Sequence, residues 1–217
     1  MFSLENPETT VVQYKSVNSE VTESEIAPDL VVRKNFSGDW GKWSIAGIGR
    51  TLNRRDVKER SAAAYGITTG GKLKLGKNGD DLRIMATYGS GLGRYLAAGF
   101  VAAAVVSPNE DLNPINTVNG YIAYNHFWVP NKWSSSFSVS AFEAMHEEDI
   151  VGDGINKTAY SLSGNIKYDP APQLRFGIEY MYAYRELQAA ANGAFHRIQI
   201  AAKYSFGYAN SVNNEKR

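Results

Sequence analysis

Residues 174–184 read LRFGIEYMYAY, and every second side chain of this stretch is large and apolar. One face of the extended chain would carry Leu174, Phe176, Ile178, Tyr180, Tyr182 and Tyr184, and the other face Arg175, Gly177, Glu179 and Met181. A period of two residues is typical of a β-strand with one apolar face. The stretch therefore predicts a strand of about eleven residues, longer than the five to six that are common in soluble proteins.

The same alternation recurs along most of the chain. It is strong in WSSSFSVSA (133–141), YSLSGNIKY (160–168) and RIQIAAKYSF (197–206), and weaker in residues 8–15, 29–37, 41–53, 63–76, 81–90 and 116–129. These segments predict about ten strands of roughly nine to fourteen residues, and a tilted strand needs about nine to eleven to cross a bilayer.

The connections between the predicted strands alternate in length. Short, turn-forming stretches are SGDWG (37–41), GKNGDD (76–81), VPNK (129–132) and DPAPQ (169–173), whereas residues 15–28, 53–63, 91–116, 146–156 and 186–194 are longer. An up-and-down antiparallel β-barrel of the outer-membrane type has short turns at one end and long loops at the other. The sequence therefore favours an all-β, up-and-down antiparallel transmembrane β-barrel.

Side-chain composition separates this barrel from a soluble one. Aromatic residues fall at the strand ends, as expected for girdles at the two membrane interfaces: Trp40, Trp43, Trp128, Trp133, Tyr168, Tyr182, Tyr184, Tyr204 and Phe206. A soluble β-barrel or sandwich would also alternate, but its water-facing side would favour Lys, Glu and Thr. Here the polar positions are rich in Ser, Gly, Asn and Arg.

Composition excludes several other classes of protein. The formal net charge of +1 argues against a nucleic-acid partner, and the absence of cysteine excludes disulfides, thiolate metal sites and a cysteine nucleophile. No apolar run approaches 18 residues, so no transmembrane helix is expected. The opening MFSLENPETT lacks the basic and apolar regions of a signal peptide.

Several segments resemble the DcaP-like outer-membrane porins: FSLENPETT (2–10), GDWGKWSIAG (38–47), TYGSGLGRY (87–95), FGIEYMYAYRE (176–186) and RIQIAAKYSF (197–206). The resemblance implies a trimeric, sixteen-stranded channel for dicarboxylates and related anions in the outer membrane of a Gram-negative bacterium, in contact with lipid and lipopolysaccharide. It further implies that this chain corresponds to the C-terminal ten strands or so. The family ends at the terminal Phe, so we expect a barrel domain over residues 1–206 and a disordered polar tail over 207–217.

The alternation also predicts which cations line the lumen. Inward positions are expected for Arg33, Arg50, Arg83, Arg175, Lys74, Lys167 and Arg197, while Arg94 begins a loop that could either fold inward as a constriction or cap the barrel outside. A ring of Arg and Lys selects anions, and the Arg fork can donate two parallel hydrogen bonds to a carboxylate. The alternative is that these are ordinary solvated lumen charges.

Two motifs of other functions are weak. GSGLGR (89–94) has the spacing G-x-G-x-G rather than G-x-G-x-x-G, so a strand-to-loop junction is expected instead of a nucleotide site. HEEDIVGDG (146–154) is acidic but lacks the spacing of a calcium-binding EF-hand loop.

No catalytic constellation is apparent, since His126 and His196 stand apart from any Ser or Asp arrangement in the sequence. We expect no catalysis, cofactor or metal. The competing hypotheses are a passive anion channel, a truncated and non-conducting barrel fragment, and a barrel hydrolase.

Overall fold

The computed structural model describes residues 1–22, 27–54, 60–76, 78–96 and 99–206. Its strands are β1 (Phe2–Glu5), β2 (Thr9–Val12), β3 (Ser19–Thr22), β4 (Asp29–Gly38), β5 (Gly41–Arg54), β6 (Arg60–Leu75), β7 (Asp80–Ser90), β8 (Ala104–Val106), β9 (Leu112–Pro114), β10 (Asn116–Val129), β11 (Trp133–Met145), β12 (Asn156–Ala171), β13 (Leu174–Leu187) and β14 (Asn192–Tyr204). A short 3-10 helix spans Gly93–Tyr95.

Ten of these strands form one antiparallel sheet in the order β1-β4-β5-β6-β7-β10-β11-β12-β13-β14. Each long strand pairs with the next long strand along the chain, which confirms the predicted all-β, up-and-down antiparallel arrangement. Within the described residues, β1 pairs only with β4 and β14 only with β13, so these two strands are the edges of the sheet.

Cross-strand register gives the sheet two chemically different faces. Directly opposed residues share a face, and the pairs Ile122–Val139, Leu162–Tyr182 and Ile178–Ile200 place large apolar side chains on one of them. We call this the apolar face. The neighbouring pairs Ser138–Ser163 and Ser140–Ser161, which are joined through their hydroxyl oxygens at 2.7 and 2.8 Å, lie on the other, polar face.

The apolar face is uncovered. Ile178, Tyr180 and Ile200 are 50%, 49% and 78% exposed, and Leu162 beside them is 38% exposed. An exposed apolar surface that runs across many strands is rare on a soluble monomer and marks contact with a partner or a membrane. None of the described helices is long or apolar enough to cross a membrane.

A second, four-stranded sheet packs on the polar face, in the order β3-β2-β8-β9. Its Val11, Ala104 and Val106 form a buried cluster with Leu52 and Ala64 of the large sheet. Leu52 and Ala64 stand on the same face as Arg50, because Arg50 pairs with Ala64 and Leu52 lies two residues further along β5. The small sheet therefore occupies the polar side at the end where the connections are long.

The loop that follows β7 takes the inward one of its two predicted positions. Leu92, Leu96 and Val101 are buried in a second cluster with Ala144 of β11, and Phe142 packs against it. Both Phe142 and Ala144 are polar-face positions, since they alternate with the exposed Val139 and Ala141 of the apolar face.

The first predicted strand was wrong. Residues 8–15 do not belong to the large sheet, because Thr9–Val12 pairs with β3 and, in parallel, with β8. The first strand of the large sheet is instead Phe2–Glu5, which pairs with Asp29–Val32 of β4. Thr9–Val12 is a largely buried strand. Its apolar and polar residues alternate less clearly because both sides of the strand are covered by protein.

Strand ends also differ from the predicted ones. β13 ends at Leu187 and β14 begins at Asn192. The connection between them is therefore only residues 188–191, shorter than the polar loop predicted over 186–194. The last strand ends at Tyr204, and Phe206 lies beyond it, 89% exposed. The predicted tail over 207–217 lies outside the described residues.

Candidate channel-lining face

The predicted lumen cations of the strand bodies share the polar face. Arg33 lies opposite Ala46, whose own partner Thr68 pairs with Thr87. The chain of pairs continues through Asn119, Phe142, Ala159 and Arg185 as far as Gly193, so one row of polar-face positions crosses the sheet. By the same alternation this face carries Arg50, Lys74, Arg83, Lys167, Arg175 and Arg197.

Most of these cations cluster toward the end with short turns, in a zone that we call the basic belt. Its cations are Lys42, Lys72, Lys74, Arg83, Lys167, Arg175, Arg197 and Lys203, and its acids are Asp81, Asp169 and Glu179. Cations therefore outnumber carboxylates on this part of the face, although the whole chain is almost neutral.

Asp81 organises one half of the basic belt. Its carboxylate lies 2.8 Å from Arg83 Nε and 3.0 Å from Lys72 Nζ, and it accepts a hydrogen bond from Asn125 Nδ2 at 2.9 Å. The Asp81 side chain is 4% exposed, while those of Lys72 and Arg83 are 50% and 47% exposed. The acid is thus covered by cations whose remaining donors still face the open side.

The other half of the basic belt is held by hydrogen bonds. Lys167 Nζ donates to Ser136 Oγ at 2.8 Å, and Arg175 donates to both oxygens of Asp169 at 2.6 and 2.8 Å. Arg197 Nη2 lies 3.3 Å from Glu179 Oε1. These contacts fix where the cations stand, and each exposed guanidinium keeps unused N–H groups, because Arg carries five donors.

Four cations of the basic belt have no carboxylate of the described residues within ion-pair distance: Lys42, Lys74, Lys167 and Lys203. Arg33 has a neutral partner, since its Nε donates to Asn35 Oδ1 at 2.8 Å. These side chains contribute uncompensated positive charge to the polar face.

Arg50 has a different setting from the other predicted lumen cations. Its side chain is fully buried and lies 3.3 Å from the equally buried Asp29. Its Nη1 donates to the carbonyls of Gly91 and Leu92 at 3.3 and 3.1 Å, and its Nη2 donates to Glu8 O at 2.5 Å. Protein acceptors therefore use its donors, so we leave Arg50 out of any solute path.

Arg94 and Tyr95 complete the buried network around Asp29. Tyr95 Oη donates to Asp29 Oδ2 at 2.9 Å, and Arg94 Nη2 donates to Tyr95 Oη and to Asn6 O. Burial raises the pKa of Tyr95 to about 12, so the phenol stays protonated and remains a donor. The hydrogen bond to Tyr95 raises the pKa of Arg94. Arg94 thus anchors the inward loop to the N-terminal segment.

The glycines of GSGLGR serve this inward turn. Gly91 has φ of +69°, and a side chain there would lie 2.6 Å from Ala64 Cβ; Gly93 has φ of +46° and faces Thr10. Both positions need a residue without Cβ where the chain passes from β7 onto the polar face. The junction is packed against protein, since residues 91–93 are buried.

One expectation about histidine was wrong. His126 is not isolated, because its Nδ1 lies 2.7 Å from Asp80 Oδ2, which also accepts from Tyr124 Oη at 2.7 Å. His196 Nδ1 lies 2.6 Å from Tyr180 Oη. Both clusters are on the apolar face. No group of three His, Cys, Asp or Glu in the described ranges is placed to hold a metal.

The acidic loop 146–155 is held by the protein itself. His146 Nε2 lies 2.9 Å from Asn156 O, and Lys15 donates to Glu148 O at 3.1 Å. Burial lowers the pKa of His146. The loop thus clamps the N-terminal segment to the end of the sheet.

Sequence reasoning missed Arg185, which lies on the polar face between Ala159 and Gly193. Extending the alternation of LRFGIEYMYAY by one residue would have found it. It also missed Asp29, and no local pattern marks that residue, because its partner Arg50 is 21 positions away.

Comparison with solved structures identifies the architecture. The chain superposes on the outer-membrane channel DcaP of Acinetobacter baumannii with a TM-score of 0.75 and 17% identity, over 84% of this chain and 53% of that chain. The fold is that of a DcaP-like porin. The chain spans about half the length of that channel.

The remaining comparisons, with a second porin structure, with protein-family models and with characterised sequences, do not narrow the assignment. The NanC porin matches with a TM-score of 0.42 and 10% identity, over 82% of this chain and 93% of that chain. No protein-family model matches the chain, and no characterised protein matches it by sequence. The DcaP-like assignment therefore concerns the fold, and solutes and partners have to be argued from the residues.

Proposed function

We propose that this DcaP-like chain forms part of a passive outer-membrane channel for small anions, with dicarboxylates among its solutes. The observation that carries the proposal is the opposition of two faces: an uncovered apolar face, and a polar face on which cations outnumber acids. The apolar face would contact acyl chains, and the polar face would enclose water.

The basic belt would act through many weak contacts. Exposed donors of Lys72, Arg83, Arg175 and Arg197 line one side of the path, and an anion could pass from one to the next without a deep binding site. A channel needs attraction strong enough to admit the ion and weak enough to release it. The carboxylates that already partner these cations keep the attraction weak.

The proposed channel function also implies a cellular location and an oligomeric state for the chain. We place the chain in the outer membrane of a Gram-negative bacterium, in contact with lipid and lipopolysaccharide, as a homotrimer. The fold of a porin channel supports the location, and the trimer is an expectation from the DcaP-like resemblance that cross-linking in native membranes would test.

The alternative is a barrel fragment that does not conduct. Two features favour it: β1 and β14 are open edges among the described strands, and the small sheet occupies the polar face at one end. Open edges are not tolerated in hydrocarbon, so they must find partner strands before any closed pore exists.

Reversal potentials in planar bilayers test the channel. We expect the protein in a KCl gradient to shift the reversal potential toward that of chloride. The double variant Arg83→Gln, Lys167→Gln should lower the chloride-to-potassium permeability ratio severalfold, because two positive charges of the polar face are lost.

Lys34→Gln is the matched control, since Lys34 is a cation of the apolar face opposite Ile45. Equal selectivity in the wild type and the double variant would remove these residues from the path. Folded protein without conductance would favour the fragment alternative.

A further inference from the structure

A cavity of about 830 Å³ lies on the polar face beside the basic belt, since Met85 of its floor follows Arg83 by two residues on β7. Two rows of opposed side chains build its floor. The first row runs Met85, Tyr121, Ser140, Ser161, Ala183, Phe195, and the second runs Asn119, Phe142, Ala159, Arg185, Gly193. We call this cavity the trough.

The trough exists because small and large residues are segregated along these rows. In the first row Ser140, Ser161 and Ala183 lie between Tyr121 and Phe195. In the second row Ala159 lies between Phe142 and Arg185. The hydroxyls of Ser140 and Ser161 are 2.8 Å apart and bond to each other, whereas Asn119 Nδ2, also in the floor, is a buried donor without a hydrogen-bond partner among the described residues. Five neighbouring strands from β7 to β13 span about 19 Å, which makes the trough elongated.

Part of the inward loop covers the trough. Leu96 and Phe100 line its upper side, and the Phe100 ring meets Phe142 edge to face at a centroid distance of 4.9 Å. Asn156 Nδ2 donates to Phe100 O at 2.6 Å and fixes this part of the cover. The walls are therefore apolar and aromatic, on a face that is otherwise polar.

Among the described residues that line the trough, Arg185 is the only cation. No carboxylate or other acceptor from the described part of the chain bonds its guanidinium, in contrast to Arg83, Arg175 and Arg197. Its cross-strand neighbours, Ala159 and Gly193, are too small to cover it. A free guanidinium beside an apolar cavity suits an anion that carries an apolar body.

We propose that the trough binds a monocarboxylate with a long aliphatic tail, such as a medium-chain fatty acid. The carboxylate pairs with Arg185, and the tail lies across the small-residue floor toward Met85 and Leu96. Among the described lining residues, that end offers the neutral side chains of Asn119 and Tyr121 but no cation. A second carboxylate would be buried there without a counter-charge, so the trough disfavours dicarboxylates of the same length. Each methylene buried in the trough raises affinity about fourfold.

This site goes beyond the proposed channel function. The basic belt offers several cations and no apolar wall, and it suits short, doubly charged solutes. The trough offers one cation and a long apolar wall, and occupancy of the trough does not require that the chain conducts.

Calorimetric titration of the whole chain in lipid nanodiscs tests the proposal. Octanoate, octanedioate and octanol are the probes, and empty nanodiscs give the background of partition into lipid. We expect saturable binding of one octanoate per chain, with octanedioate and octanol each at least tenfold weaker. Detergent is avoided because its own tails would occupy the trough.

Three variants locate the site, each checked for unchanged β-content by circular dichroism. Arg185→Gln should weaken octanoate at least tenfold and leave octanol unchanged, whereas Ala183→Phe should fill the floor and abolish binding of both. Arg175→Gln in the basic belt is the control and should bind octanoate as the wild type does.

Three results would overturn the proposal. These are equal affinity for octanoate and octanedioate, unchanged octanoate binding in Arg185→Gln, and no signal above that of empty nanodiscs. None of them depends on conductance, so failure of the trough and failure of the channel are separate outcomes.

Discussion

Arg50 shows how little the position of a cation on the polar face says about its role. It shares that face with Arg83 and Arg175, yet its side chain is fully buried against Asp29 and takes three backbone carbonyls as acceptors. Exposure and partners, and not the face alone, separate a cation that solutes can reach from one that holds the fold together.

We expect Arg50→Met to destabilise the inward loop. The variant leaves Asp29 as a buried charge without its closest cation, and breaking such a pair costs on the order of 3–5 kcal/mol. Urea denaturation in lipid would measure the loss, and hydrogen exchange should increase over residues 91–115. Arg33→Met is the control and should behave as the wild type, because the Arg33 side chain is exposed and hydrogen bonds to the neutral Asn35.

A second residue-scale prediction concerns His146. Burial lowers the pKa of its imidazole below the usual 6.5, and its Nδ1 is a buried atom with no hydrogen-bond partner. The unfolded state therefore takes up a proton first as pH falls, so stability decreases from about pH 6.5 down to the lowered pKa and is constant above that window.

Hydrogen exchange of residues 146–155 should thus quicken on acidification below pH 6.5 in the wild type. His146→Gln lacks a titrating group and should show no such change across the window. A loop whose exchange, corrected for intrinsic pH dependence, does not change between pH 5 and 7 would contradict this account.

At the scale of the element, the long strands are defined by what each face contacts. Neighbouring positions in one strand meet opposite environments, so a charge that one position tolerates is costly at the next. Ile122 and Ala123 of β10 are such neighbours: Ile122 lies between Ile84 and Val139, and Ala123 between Arg83 and Ser138.

We expect Ile122→Arg to destabilise the folded chain in bilayers by about 2–4 kcal/mol, the cost of a cation on the lipid face near mid-depth. Ala123→Arg introduces the same side chain on the polar face, where water screens its repulsion from Arg83. Its effect should be small. Equal destabilisation of the two variants, measured by urea unfolding in the same lipid, would contradict the assignment of the faces.

The elements also show which parts of the fold were predictable. Period-two alternation located the long strands and their faces, because a one-residue slip would exchange the environments of all side chains. β1, β2, β3, β8 and β9 have three or four residues each and carry too little pattern for that. Phe2–Glu5 was missed, and residues 8–15 were assigned to the wrong sheet.

At the scale of the whole molecule, contacts between distant residues were beyond sequence reasoning. The ion pair of Asp29 with Arg50, the cluster of Asp80 with His126 and the cover of the trough by Phe100 each join separate strands or loops. Alternation gives the face of a residue but not the neighbour it meets there, and the role of the candidate cations depends on that neighbour.

The parallel pairing of β2 with β8 has a consequence for how this molecule comes together. Ala103 N donates to Thr10 O at 2.9 Å, and these residues are 93 positions apart. Such distant partners close a large loop, which slows their encounter. β2 can pair early with the nearby β3, but its other edge stays open until the four long strands β4 to β7 have been made. Packing of the small sheet on the polar face thus belongs to the later stages of assembly.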